Sequence, residues 1–178
     1  MMKRKILFTT LFAMLSLGLF AQKNTDLIQI SGQVARPTSA LLEFTNFGYG
    51  GAIKWMHGFG ERKQQLTFET GYNRFPIKKM PAGVQVYYAA IPAYLGYRYI
   101  ANKVSLEAQG GASINRVLGR AGNVTASDTR VNLGVGLGLG YYLAKNLELG
   151  ARFQVTDIRG SQDDPTFLGI RLAYDISL

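Results

Sequence analysis

An all-β fold, an eight-stranded antiparallel transmembrane β-barrel in up-and-down order, is predicted by three features of the 178-residue sequence. Apolar residues recur at every second position over long stretches, and the connections between these stretches alternate between short and long. No apolar run of helix-spanning length follows residue 21. A period of two marks a strand with one apolar face, whereas a spanning helix needs about 20 consecutive apolar residues.

Residues 1–21 place Lys3, Arg4 and Lys5 before a mostly apolar stretch and a small Ala21. This three-part form predicts a signal peptide cleaved before Gln22, leaving residues 22–178 as the barrel of an exported protein. Cleavage removes three of the 20 basic residues and none of the 11 acidic ones, which leaves 17 against 11, a formal charge of +6. No basic run exceeds Lys78-Lys79, so nothing tracks a phosphate backbone and nucleic acid is excluded as a partner. Cysteine is absent, which excludes both a disulfide framework and a thiolate metal site. No cofactor or metal is expected.

The strongest strands are residues 147–156, with Leu147, Leu149, Ala151, Phe153 and Val155 on one face, and residues 168–178, with Leu168, Ile170, Leu172, Tyr174, Ile176 and Leu178. Residues 104–115 and 66–73 alternate in the same way. Weaker strands at 28–36, 47–57, 86–99 and 131–143 bring the number to eight, an even number that permits closure. Short connections at 58–65, 100–103 and 144–146 alternate with longer, more polar ones at 37–46, 74–85, 115–130 and 157–166. Short periplasmic turns and long extracellular loops are the pattern of an outer-membrane barrel. A lipocalin-like soluble barrel would turn its apolar face inward around a ligand; here the opposing face carries glycine and charges, so the apolar face belongs against lipid. Tyr49, Trp55, Phe59, Tyr87, Tyr97, Tyr99, Tyr141 and Tyr174 lie near strand ends and are expected to form interfacial girdles.

With the polar face inward, Lys54, Arg98, Arg152 and Arg171 meet Glu69, Glu107, Glu148 and Asp175, four charges against four. Unpaired charges in such an interior are costly, so these residues are expected to form an ion-pair network that plugs the lumen. Arg98 is expected opposite Ser105 and diagonal to Glu107. A narrow channel for ions or apolar molecules is the alternative. The run VNLGVGLGLGYYL at residues 131–143 lacks the Gly-x-Gly-x-x-Gly spacing of a nucleotide loop. It is predicted to be a strand whose inward glycines leave room for long neighbours, with Gly138 facing Arg152.

Enzymatic chemistry is not expected. His57 is the only histidine, and no nearby serine supplies the nucleophile of an outer-membrane lipid hydrolase. Asp163-Asp164-Pro165 lacks the oxygen-rich spacing of a calcium loop. Lys78-Lys79 is compatible with contact to anionic lipopolysaccharide or with an ordinary charged loop.

The segment YYAAIPAYLGYRYIANKVSLEAQGGASINRVL, residues 87–118, resembles hairpins of the PorT-like family, through Ala90-Ile91-Pro92, Tyr97 and a tight turn at Asn102. The whole mature chain is similar to OmpA-type eight-stranded membrane domains. That resemblance implies the outer membrane of a Gram-negative cell and insertion by the barrel-assembly machinery, although Leu178 replaces the frequent terminal aromatic. Expected partners are outer-membrane lipid and lipopolysaccharide, with envelope or secretion proteins engaged through loops or the periplasmic rim.

Overall fold

The computed structural model describes residues 26–38, 41–59, 63–78, 80–159 and 165–178. The signal peptide, Lys79, Asp163 and Asp164 lie outside the described residues. The strands are β1 (Asp26–Pro37), β2 (Gly48–Phe59), β3 (Gln64–Pro76), β4 (Val84–Ala101), β5 (Val104–Ala121), β6 (Val124–Ala144), β7 (Leu147–Val155) and β8 (Thr166–Ser177), with one short helix, α1 (Leu41–Phe44), between β1 and β2. Each strand pairs antiparallel with the next, and β8 returns to β1, so the sheet is a closed barrel. Closure satisfies the ladder on every side, which is the condition for strands to cross a bilayer.

The register determines the barrel's shape. Following Cα partners from Leu27 through Met56, Thr67, Gly96, Gln109, Gly136, Gln154 and Phe167 leads back to β1 at Pro37, a stagger of ten residues. Stagger and strand number together set the tilt and bore, and eight strands leave an interior that side chains just fill. Pro92 lies within β4, where the β3–β4 ladder lacks the pairs between Thr70↔Ala93 and Asn73↔Ala90. A residue without an N–H explains the gap.

Burial is inverted relative to a soluble protein. Arg98, Lys54, Gln29, Gln154, Glu69 and Glu148 are among the largest fully buried side chains, while Leu95, Leu137 and Ile170 are at least 60 % exposed. Charged side chains are almost never fully buried unless paired, so the polar face encloses the lumen and the apolar face forms the exterior. On β2, Tyr49 and Phe59 both point outward and stand ten residues apart. That is about 33 Å along the strand and about 25 Å along the barrel axis at the usual tilt, the height of a lipid-facing band.

The connection at 115–130, expected as a loop, is instead a continuation of β5 and β6 to a tight turn at Gly122 and Asn123. Gly122 has φ 54°, the conformation that glycine supplies at the first centre of a two-residue hairpin. Among the described residues, 124–132 of β6 pair with β5 alone, because β7 joins only from Val135. The extension is therefore a β5–β6 ribbon backed along β5 by residues 84–89 of β4, with β6 as its outer edge. The opposite, turn end carries the β4–β5 turn, where Asn102 adopts φ 56°. The sequence does not reveal the ribbon because residues 116–130, with three arginines, Ser, Thr and Asp, have no buried face to impose period two. Deleting residues 117–129 and joining the strands by a two-residue turn should leave the barrel intact. Unheated protein should still run faster than heated protein on a detergent gel.

Candidate functional site: the closed lumen

Alternation delivers the inward residues. Even positions of β2, β4 and β7 and odd positions of β3, β5 and β8 turn inward, so all eight charges expected in the interior lie within the bore, each no more than 8 % exposed. Glu69 is the hub: its carboxylate meets Lys54 Nζ at 3.1 Å, Arg171 Nη1 at 3.2 Å and the guanidinium of Arg152. Glu107 accepts from Lys54 Nζ at 2.5 Å and from Arg171 Nη2 at 3.4 Å. Closer to the turn end, Arg98 pairs with Glu148, while Arg171 Nη2 lies 3.9 Å from the same carboxylate.

Arg98 faces Glu107 directly in the β4–β5 register, whereas Ser105 is opposite Ile100. This corrects the expected pairing by two residues: the turn is confined to Asn102 and Lys103, because β4 runs on to Ala101. The Arg98 side chain nevertheless crosses the bore to Glu148, with Nη2 donating to Tyr142 Oη at 3.1 Å and Nη1 contacting Met56 Sδ at 3.0 Å. Asp175 has no ion pair among the described residues. It accepts instead from Gln29 Nε2 and Tyr142 Oη, both at 2.8 Å.

Neutral side chains complete the network, and reading charges alone misses them. Gln29 donates to Glu148 at 3.1 Å, Thr67 to Glu107 at 3.0 Å, Gln109 to Glu107 at 2.7 Å and Ser105 to Glu148 at 3.1 Å. These bonds fill lone pairs that ion pairs leave open, which a buried charge requires if it is not to be costly. Their signal in the sequence is position: each falls on the inward phase of its strand.

A second layer, of aromatic side chains, crosses the bore at the ribbon end. Phe75 and Phe167 pack with ring centroids 4.9 Å apart, Phe75 and Tyr88 at 5.9 Å, and Ala35 and Ala90 complete this buried cluster. Tyr88 Oη lies 2.9 Å from Thr156 Oγ1. Beneath it, Tyr94 Oη accepts from Gln154 Nε2 at 3.3 Å, and Asn115 Nδ2 donates to the Thr156 carbonyl at 3.1 Å. At the turn end a cavity of about 410 Å³ opens between Gln65, Tyr142, Lys145 and Asp175. Its lining includes Tyr142, whose hydroxyl accepts from Arg98.

The inward glycines of β6 differ in the space around them. A Cβ on Gly138 would meet Glu107 Cβ at 3.6 Å, an ordinary contact. One on Gly140 would overlap the Glu148 carboxylate and come within 2.5 Å of Ser105 Oγ, and one on Gly134 would overlap the Tyr94 hydroxyl and approach the Val155 carbonyl at 2.8 Å. The critical close approaches are therefore at Gly134 and Gly140, and not at Gly138.

The aromatic positions all face outward and fall at two levels. Trp55, Phe59, Tyr97, Tyr99, Tyr141 and Tyr174 lie toward the turn end, with Phe59 and Tyr97 rings 6.2 Å apart. Tyr49 and Tyr87 lie toward the ribbon end, joined by Tyr72. His57 Nδ1 is 2.6 Å from Asp26 Oδ1, and its ring stacks on Trp55 at 5.8 Å. Among the described residues, no cluster of His, Asp and Glu could hold a metal, and no helix is long and apolar enough to cross a membrane.

Residues 9–175 match the family model described as the outer membrane protein beta-barrel domain. The chain belongs to that family. Membership implies the outer membrane of a Gram-negative cell. The fold is also that of solved barrels of low sequence identity. Ail, the attachment invasion locus protein of Yersinia pestis, is 16 % identical with a TM-score of 0.65, covering 87 % of this chain and 100 % of Ail. Neisserial surface protein A is 18 % identical at 0.59, with 88 % of this chain and 100 % of that one covered. The N-terminal barrel of Pseudomonas aeruginosa OprF is 13 % identical at 0.59, with 86 % and 100 % covered. No curated protein sequence matches the chain.

Proposed function

We propose that this outer-membrane barrel is a sealed scaffold that acts by contact, presenting the β5–β6 ribbon outside the cell, and is neither a pore nor an enzyme. The observation that carries this reading is the filled bore: an ion-pair network around Glu69 beneath the Phe75–Tyr88–Phe167 cap. Burying these charges demands mutual satisfaction, and each of the eight is held by at least one ion pair or hydrogen bond, which leaves little for a permeating ion to displace. The alternation of short turns and longer connections supports a periplasmic turn end and an exterior ribbon. Export through the signal peptide and insertion by the assembly machinery accord with this orientation.

The ribbon offers a specific contact. Among the described residues, 124–132 leave one edge of β6 unpaired, rich in Val and Thr and free of proline. Such an edge accepts an added strand from a partner, here an envelope or secretion protein. The lipid-hydrolase reading finds no support at His57, which packs against Asp26 and Trp55. A photo-activatable side chain at Thr129 should capture a discrete partner in intact cells, and the ribbon deletion should abolish that partner's co-purification. No adduct at Thr129 with a strong one at Lys145 would move the contact to the periplasmic rim.

A further inference from the structure

The outer face of the barrel carries charge at only two places among the described residues. At the turn end Asp26 and His57 pair with each other. Toward the ribbon end the outward positions of β1, β3 and β5 carry Arg36, Arg74, Arg116 and Arg120, with no carboxylate on the outward phase of any strand there. All four are arginine and none is lysine. Charge on the lipid face is costly at the bilayer midplane and tolerated at the interface, so this fringe lies at head-group level, where Tyr49, Tyr72 and Tyr87 also sit.

Two of these arginines are arranged as a pair. Ala89 has Arg74 as its partner on β3 and Arg116 as its partner on β5. Two strand spacings separate the arginine backbones by about 10 Å. Ala89 faces outward yet is 2 % exposed. The Arg74 guanidinium lies 4.0 Å over the Tyr87 ring, and its buried Nε has no hydrogen-bond partner among the described residues. Arg116 donates from Nη2 to Ser127 Oγ at 3.3 Å. Stacking fixes the plane of a guanidinium while leaving its edge available, and that edge matches two oxygens of a phosphate.

We infer that Arg74 and Arg116, braced by Tyr87, clamp the phosphates of a phosphorylated glycolipid of the outer leaflet. The one-sign charge of the fringe, its depth and its exclusive use of arginine fit a lipid-borne phosphate with acyl chains lying along the apolar wall below. The inference rests on the exterior placement of the ribbon end, and the two fail separately. Labelling of Gly122→Cys in intact cells reads the orientation, whereas lipid retention reads the clamp.

The test uses the folded barrel in nanodiscs of zwitterionic phospholipid, titrated with diphosphoryl lipid A and, separately, with phosphatidylglycerol, with bound lipid counted by native mass spectrometry. Diphosphoryl lipid A should be retained in preference to phosphatidylglycerol. Arg74→Ala and Arg116→Ala should each weaken it about tenfold, the loss of one charge-assisted contact, with Arg74→Lys in between and Arg130→Ala, which removes an arginine paired with Asp128 outside the fringe, unchanged. The unheated gel shift of each variant confirms that it is folded, and Arg74→Gln substitutes if Arg74→Ala is not. Equal retention of the two lipids, or equal retention by wild type and both alanine variants, overturns the assignment.

Discussion

Glu69→Ala should cost the folded barrel about 3–5 kcal/mol, the usual cost of removing one partner from a buried ion pair. The carboxylate joins Lys54 at 3.1 Å, Arg171 at 3.2 Å and Arg152, and both Lys54 and Glu69 are 1 % exposed. Its loss leaves Arg152 without an ion pair among the described residues, and Lys54 and Arg171 dependent on Glu107 and on a Glu148 that already holds Arg98. Lys54→Met should cost less, because Glu69 keeps both arginines and the thioether chain fills the vacated volume. The double variant Glu69→Ala with Arg152→Ala should lose less than the two single losses added, since the pair acts as a unit. Urea unfolding in detergent micelles, followed by the fluorescence of Trp55, measures all three. Strict additivity would mean that Glu69 and Arg152 act independently, which the geometry does not allow.

Gly140→Ala and Gly134→Ala should each destabilise the barrel by about 1–3 kcal/mol, the range for overpacking a filled interior, whereas Gly138→Ala should be near neutral. Leucine at Gly134 or Gly140 should prevent closure. The contrast tests geometry more than glycine content. At Gly134 the added carbon meets the ring end of Tyr94, a side chain buried in the bore, and the immovable Val155 carbonyl. At Gly140 it displaces Glu148 from Arg98 and Ser105. At Gly138 the nearest atom is Glu107 Cβ at 3.6 Å. The fraction showing the unheated gel shift after refolding ranks the variants, and a Gly138→Ala loss equal to that of Gly134→Ala would refute the packing argument.

The strands were legible where one face meets lipid. Leu147, Leu149, Ala151, Phe153 and Val155 mark β7 without help from any neighbour, because a bilayer demands an apolar side chain at every outward position. The same demand reveals which charges point inward, so Lys54, Glu69, Arg152 and Arg171 could be assigned to the lumen from phase alone. Which charge meets which was not legible. Register depends on turn geometry, and a two-residue difference at Asn102 puts Glu107 rather than Ser105 opposite Arg98. Long side chains then reach past their ladder partners, as Arg98 does to Glu148.

Two other features were hidden for opposite reasons. The ribbon of β5 and β6 buries neither face, so nothing in its composition distinguishes it from a loop. The aromatic cap was hidden by its neighbours: Phe75 and Tyr88 are inward, but Tyr72, Arg74 and Tyr87 beside them are outward and equally bulky, so the alternation blurs there. Residue type alone does not separate a lumen tyrosine from a girdle tyrosine. Phase counted from the clear part of each strand does, and it places Tyr88 and Tyr94 inside with Tyr87, Tyr97 and Tyr99 outside.

The sealed lumen is tested most directly by single-channel recording of the refolded barrel in a planar bilayer. Wild type should give a flat trace at all voltages that the bilayer tolerates, and Arg152→Ala should stay flat because the Phe75–Tyr88–Phe167 layer still closes the bore. Discrete, reproducible conductance steps from the wild-type protein, shifted in size by Arg152→Ala, would contradict the account and establish an ion pathway through the network.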